Sequence, residues 1–267
     1  MSLRIQTNVE AFRAHRNLAN TQTEGSKSME KLSSGFRINR AADDAAGLAI
    51  SESLRSQVRG LDQASRNVAD GISLVQTAEG ALEQVHAMLQ RVRELAVQYA
   101  NGTLQTSDRN ALQAEANQLS AEVARIADST KFNGIDLFGG GSVSIQVGAL
   151  GDTTDQVSVG LPDVATSVDA TKFDLSSTTI LSDLDTAITD VSTMRGDFGA
   201  VQNRLEYTQA QIGISEENLS DSLSRIKDVD MASEMVKFTK NQILQQAGTA
   251  MLAQANQAPQ TVLQLLK

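Results

Sequence analysis

Apolar residues recur at helical spacing along most of this chain. Ile5, Val9, Phe12 and Leu18, then Met29 and Leu32, make a narrow stripe among Thr, Asn and Gln, which predicts a first helix from Ile5 to about Ser33. Ser33, Ser34 and Gly35 interrupt it, and Asp43 and Asp44 stand where they can cap a second helix. From Asp44 to about Asn101 no proline intervenes, and the pattern runs through Leu48, Leu54, Val58, Leu61, Val68, Ile72, Val75, Leu82, Leu89, Val92 and Leu95. Such a helix extends for roughly 85 Å at about 1.5 Å per residue. Gly47, Gly60, Gly71 and Gly80 lie inside it, each at a cost of up to about 1 kcal/mol. They predict either gentle bending or close approach by a neighbouring backbone.

The segment 101–108 reads as a turn, with Ser107 or Asp108 capping a third helix that ends near Ser129. KFNGIDLFGGG breaks the helical pattern, and Val143, Ile145 and Val147, then Val157 and Val159, alternate with polar residues. That period of two predicts a β-hairpin over about 142–160. Residues 161–179 show little pattern and read as loop. A long helix then runs from near Ser182 to about Leu223, and a last one from about Asp228 to Lys267. In the last segment Met231, Met235, Phe238, Ile243, Ala247, Met251, Val262, Leu265 and Leu266 occupy more than one face. A helix apolar on several faces needs several neighbours, and the narrow stripe of the first helix cannot cover it alone. Pro259 inside this segment predicts a kink or a restart. The pattern as a whole is that of a mainly α protein with a small β-hairpin.

Composition sharpens this picture. The 267 residues include two Pro, no Trp and no Cys, and carry a net charge of −9. Few helix breakers favour long helices, and the absence of Cys excludes disulfides and thiol chemistry. Negative charge without a basic cluster argues against a nucleic-acid partner, and no run approaches the roughly 20 apolar residues of a membrane span. The N-terminus lacks the basic-then-apolar order of a secretory signal, so the chain reads as cytosolic unless it is exported without a cleaved signal. The final residues 250–267 contrast with the rest: they hold one side-chain charge, Lys267, and no carboxylate follows Glu234. An exposed apolar tail of that kind marks a binding surface, which further copies of the same chain could cover.

No catalytic arrangement is legible. His15 and His86 are the only histidines, neither sits in an acid–base or metal pattern, and no HEXXH occurs. The Gly139–Gly141 run lacks the Lys-Ser/Thr ending of a phosphate loop and reads as a flexible corner. Metal and cofactor are therefore not expected, and the chain reads as no enzyme.

Several stretches together resemble bacterial flagellin, the subunit of the flagellar filament. KLSSGFRINRAADDAAGLAISESLRSQVRGLDQASRN (31–67), LQRVRELAVQYANGT (89–103) and KFNGIDLF (131–138) are similar to its N-terminal region in order, and IKDVDMASEMVKFTKNQILQQAGTAMLAQANQAPQTVLQLLK (226–267) to its C-terminal region. The similarity covers about 1–138 and 182–267. Between them only about 40 residues stand where many flagellins insert large outer domains. The resemblance implies a minimal form: an inner terminal domain of 1–43 with 226–267, and a rod domain of 44–225 that includes a short variable segment at 139–179. The fold implied is a long antiparallel helical rod with terminal coiled-coil helices.

It also implies a polymer serving motility and lying outside the cell, built from subunits exported by the flagellar type III route, with both chain ends in the innermost layer. Its self-assembly residues would then be Ile5, Val9, Phe12, Leu18, Met235, Ile243, Met251, Leu252, Val262, Leu263, Leu265 and Leu266. By the same resemblance an export chaperone covers Met251 to Leu266, hook-junction and filament-cap proteins are partners, and a vertebrate toll-like receptor recognises Arg91, Leu95 and Glu115. The weaker alternative is that Arg91 and Leu95, one turn apart, are ordinary rod surface. Two rivals are weaker. A hook–filament junction protein shares the terminal regions but diverges at the tail, and a membrane-active helix requires a Lys/Arg-rich polar face where this tail has Gln.

Overall fold

The structure, a computed structural model, describes residues 7–168 and 173–265, with side chains except at 153, 165, 167 and 258–265. It is mainly helical: α1 (Val9–Ser34), α2 (Ala45–Tyr99), α3 (Thr106–Ser129), a short α4 (Val164–Ser167), α5 (Ile180–Lys227) and α6 (Met231–Leu265). Four strands form two antiparallel pairs, β1 (Lys131–Phe132) with β2 (Ile135–Asp136), and β3 (Gly139–Gln146) with β4 (Gln156–Asp163). The chain divides into two compact units, Gln57–Asn218 and Met1–Ser56 with Leu219–Lys267.

Local chemistry sets the helix ends. The Asn8 side chain accepts a hydrogen bond from the Ala11 N–H at 3.0 Å and caps α1, satisfying one of its orphan donors. Gly35 closes it in a left-handed turn, φ 76°, donating to the Lys31 carbonyl at 2.9 Å. Of the two predicted caps of α2, Asp44 fills the role, accepting from Gly47 N–H at 2.8 Å. Asp43 instead accepts from the backbone of Arg40 and Asn39 at 3.0 and 3.2 Å and holds the preceding loop, which lowers its pKa. At α3 the cap position is Gln105, one turn before Asp108, whose carboxylate accepts from Gln105 N–H at 3.2 Å.

Unit Gln57–Asn218 owes its core to a seven-residue repeat. Leu61, Val68, Val75, Leu82 and Leu89 recur at that interval on α2, followed three residues on by Ala64, Gly71, Ala78, Val85 and Val92; on α5 the series is Leu184, Val191, Phe198, Leu205 and Ile212. All but Leu61 belong to the buried set, and Leu61 packs against it. A strict heptad aims two helices' apolar seams at each other. The two run antiparallel, since Arg93 pairs with Asp185 at 2.6 Å, Arg195 with Glu79 at 3.6 Å, and Gly71 faces Leu205. The predicted hairpin is present as β3–β4, in register Val143–Val159 and Ile145–Val157, and Val157, Val159 and Leu161 turn one face into the core.

Other features resolve or correct the sequence pattern. The glycines of α2 divide: Gly60 and Gly71 admit Ala149 and Ile145 of the hairpin region at close range, whereas Gly80 faces open space. Segment 161–179 is no simple loop, because β4 continues to Asp163, α4 follows, and Val164, Val168, Phe173 and Leu175 are buried. Across Pro259 α6 continues as helix without a restart.

Candidate interaction surface

The unit formed by Met1–Ser56 and Leu219–Lys267 is built differently. Helices α1 and α6 lie side by side and antiparallel: the Asn8 amide donates to the Ala255 carbonyl at 2.7 Å, Leu18 meets Gly248, and Gly25 faces Asn241. A β-bridge between Phe36 and Asp228 closes the other end. There Val229 N–H donates to Gly35 at 3.0 Å, and Arg37 donates its backbone N–H to Lys227 and its guanidinium to the Ile226 carbonyl, both at 2.7 Å. Lys227 reaches Glu52 at 3.0 Å and lies over the Phe36 ring.

Almost no apolar side chain is enclosed here. Among the described residues of this unit Ile38 is the one buried hydrophobic, while the buried residues of α1 and α6 are Ser28 and Glu234. Burial of Glu234 opposes its ionisation, but hydrogen bonds from Ser28 and Lys237, with Lys31 nearby, outweigh that and lower its pKa. The Lys237 ammonium donates to it at 3.0 Å. A buried carboxylate is tolerated when its oxygens are paired in this way.

The apolar residues of the pair face outward instead. Val9, Phe12, Met29, Met231, Met235, Val236, Ile243, Leu244 and Met251 are all exposed, Phe12 at 69%. Met235, Val236, Ile243 and Leu244 line an open apolar depression of about 490 Å³ with Thr239 and Lys240. Of the residues singled out in the sequence, Val9, Phe12, Met235, Ile243 and Met251 are therefore surface, and Leu18 and Leu252 are half-buried. Ile5 and Leu266 lie outside the described residues, as do the side chains of Val262, Leu263 and Leu265. Val236 and Leu244 escaped the sequence reading; each adjoins a named position, and that adjacency was the available signal.

The second predicted group falls on the other unit. Arg91 donates to Glu115 at 2.9 and 3.0 Å and to Glu94 at 3.0 Å, and these partners raise its pKa, Glu94 first. Both Arg91 and Glu115 are exposed. Leu95 is not rod surface: it is 1% exposed and belongs to the core, because residues 85, 89, 92 and 95–96 share the inward face of α2. No group of three or more His, Asp or Glu able to hold a metal occurs among the described residues, and no helix is long and apolar enough to cross a membrane.

One unit packed on a heptad core and another built on a helix pair with exposed apolar residues define a mainly helical structural protein whose chemistry is contact between surfaces. Comparison with known proteins makes the family specific. Residues 5–142 match the bacterial flagellin N-terminal helical region and residues 181–266 the C-terminal helical region. Flagellin of Halalkalibacterium halodurans is 51% identical over 98% of this chain and 99% of its own. Flagellin of Bacillus subtilis is 45% identical over 99% and 100%, and the flagellar filament 33 kDa core protein of Treponema phagedenis 46% over 98% and 99%. The crystal structure of Bacillus cereus flagellin, 31% identical, matches 55% of this chain and 88% of its own with a TM-score of 0.50. The chain belongs to the bacterial flagellin family. It is a non-enzymatic structural subunit that polymerises into the extracellular flagellar filament of motile bacteria.

Proposed function

We propose that the α1–α6 pair is the surface through which this subunit polymerises, and that residues 1–43 with 226–267 form its inner terminal domain and 44–225 its rod domain. The observation that carries this is a helix pair with one buried apolar side chain among the described residues of its unit and a row of exposed ones. Each large apolar side chain taken fully from water contributes about 1.5–3 kcal/mol, which opposes the entropy of ordering the chain ends. One heterologous contact repeated by every copy gives an open helical polymer. The nearly uncharged segment from Met251 to Leu266, in which Met251 is exposed, suits capture by an export chaperone before assembly, and the subunit's neighbours at the filament ends are the hook-junction and cap proteins.

Electron microscopy of the full chain incubated with short filament seeds tests the reading against a chain ending at Ala250. Long filaments from the first and none from the second are the expected outcome. Filaments from both would remove the tail from the assembly surface.

Recognition of the monomer by a toll-like receptor is a separate part of the proposal, supported by the exposed Arg91–Glu115 pair that bridges α2 and α3. Leu95 then acts from beneath, holding the face of α2 that presents Arg91. Arg91→Ala is expected to lower receptor activation in reporter cells about tenfold or more, the loss that accompanies a missing charged hydrogen bond. Unchanged activation would rule the pair out.

A further inference from the structure

We propose that Met29, Met231, Met235 and Met251 form a redox-sensitive modification site that controls assembly of the free subunit. This rests on the α1–α6 pair being the polymerising surface. Six methionines lie among the described residues, and they divide by unit. Met88 and Met194 are partly buried against the heptad core, whereas the four on α1 and α6 are exposed, from 48% at Met231 to 65% at Met251. Met235 and Met231 stand one turn apart at the start of α6, and Met235 lines the open apolar depression. The chain has no cysteine, so the thioethers are the sulfur groups that a peroxide meets, and exposure decides which of them react.

The step is a two-electron oxidation. A methionine sulfur attacks one oxygen of hydrogen peroxide; the S–O bond forms as the O–O bond breaks. Sulfur is oxidised to the sulfoxide, and the other oxygen leaves as water after taking up the remaining proton. A flexible apolar side chain thereby becomes a polar, strongly accepting one. Polymerisation would have to take those oxygens out of water into a contact made largely by apolar side chains. Oxidation therefore blocks addition of free subunits. A subunit already in the filament has these sulfurs covered and is spared.

The test uses the full chain. Monomers are treated with hydrogen peroxide, mapped by peptide mass spectrometry and offered to filament seeds, with elongation followed by light scattering. Sulfoxide is expected at Met29, Met231, Met235 and Met251 before Met88 and Met194, with elongation slowed at least about tenfold, as taking those polar oxygens out of water requires. A methionine sulfoxide reductase restores it, and preformed filaments take up less oxygen at the same positions. The variant with all four changed to Leu is expected to elongate seeds equally before and after peroxide. If untreated wild-type chain fails to elongate seeds, the assembly surface itself is misassigned. If untreated chain elongates and fully oxidised chain elongates as fast, the redox inference is overturned and the assembly surface stands. Oxidation that falls first on Met88 and Met194 overturns it too.

Discussion

The two units of this chain put similar helices to opposite uses. In Gln57–Asn218 the large apolar residues recur every seventh position and enclose one another; in the unit of the chain ends they are exposed and a Ser–Glu pair occupies the buried place. One unit has its partner within the chain. The other leaves its large apolar residues open. Burial in the monomer, more than helix content or hydrophobicity, separates the part that encloses itself from the part proposed to assemble.

The largest test of that contrast is a pair of truncations of similar side chains. Leu205→Ala, at a fully buried heptad position, is expected to destabilise the monomer by about 2–5 kcal/mol in urea unfolding. Ile243→Ala, on the exposed face of α6, is expected to change it by less than about 0.5 kcal/mol while slowing elongation of seeds. Comparable losses in the monomer would erase the distinction between the units.

A subtler comparison uses two glycines of one helix. A Cβ at Gly60 would meet the Cβ of Ala149 at 2.7 Å and its Cα at 3.1 Å, whereas Gly80 faces nothing within 4 Å. Thermal unfolding is expected to show Gly60→Ala losing about 1–3 kcal/mol through overpacking. Gly80→Ala is expected to gain up to about 1 kcal/mol through helix propensity.

The smallest effect concerns acid. Glu234 has a folded pKa below its ordinary value of 4.5, so its contribution is fully present above that value and is lost as pH falls through the lowered one. Circular dichroism of the monomer is expected to show α1–α6 helicity weakening below about pH 4.5, and Glu234→Gln making that step shallower. An unaltered step in the variant would show that other carboxylates govern it.

Much of this architecture was legible because helices and hairpins have a period. All five long helices and the β3–β4 pair lie where the apolar spacing places them. The heptads at 61–92 and 184–212 were equally visible as a pattern, and only their strictness went unread. The small hairpin β1–β2 also had a signal: Asn133 and Gly134 both take positive φ, 50° and 82°, the turn that Asn-Gly favours between paired strands. Val164, Val168, Phe173 and Leu175 had none, since these buried residues follow no helical or strand period in the sequence. Leu95 shows the opposite difficulty. Arg91, one turn away, is on the surface, and which of two such positions faces inward is decided by the helix packed beside them.

The bridge at Phe36 and Asp228 changes what it costs the chain ends to find each other. Asn8 and Ala255 are far apart along the chain, and closing a loop of that length in one step is slow and entropically expensive. With Gly35, Arg37 and the 226–229 segment already joined by backbone hydrogen bonds, that long loop is closed beforehand. Each further contact, from Ser28–Glu234 outward to Asn8–Ala255, adds only a few residues. Pairing of the two ends thus becomes a zipper with one fixed end, a local search instead of a global one.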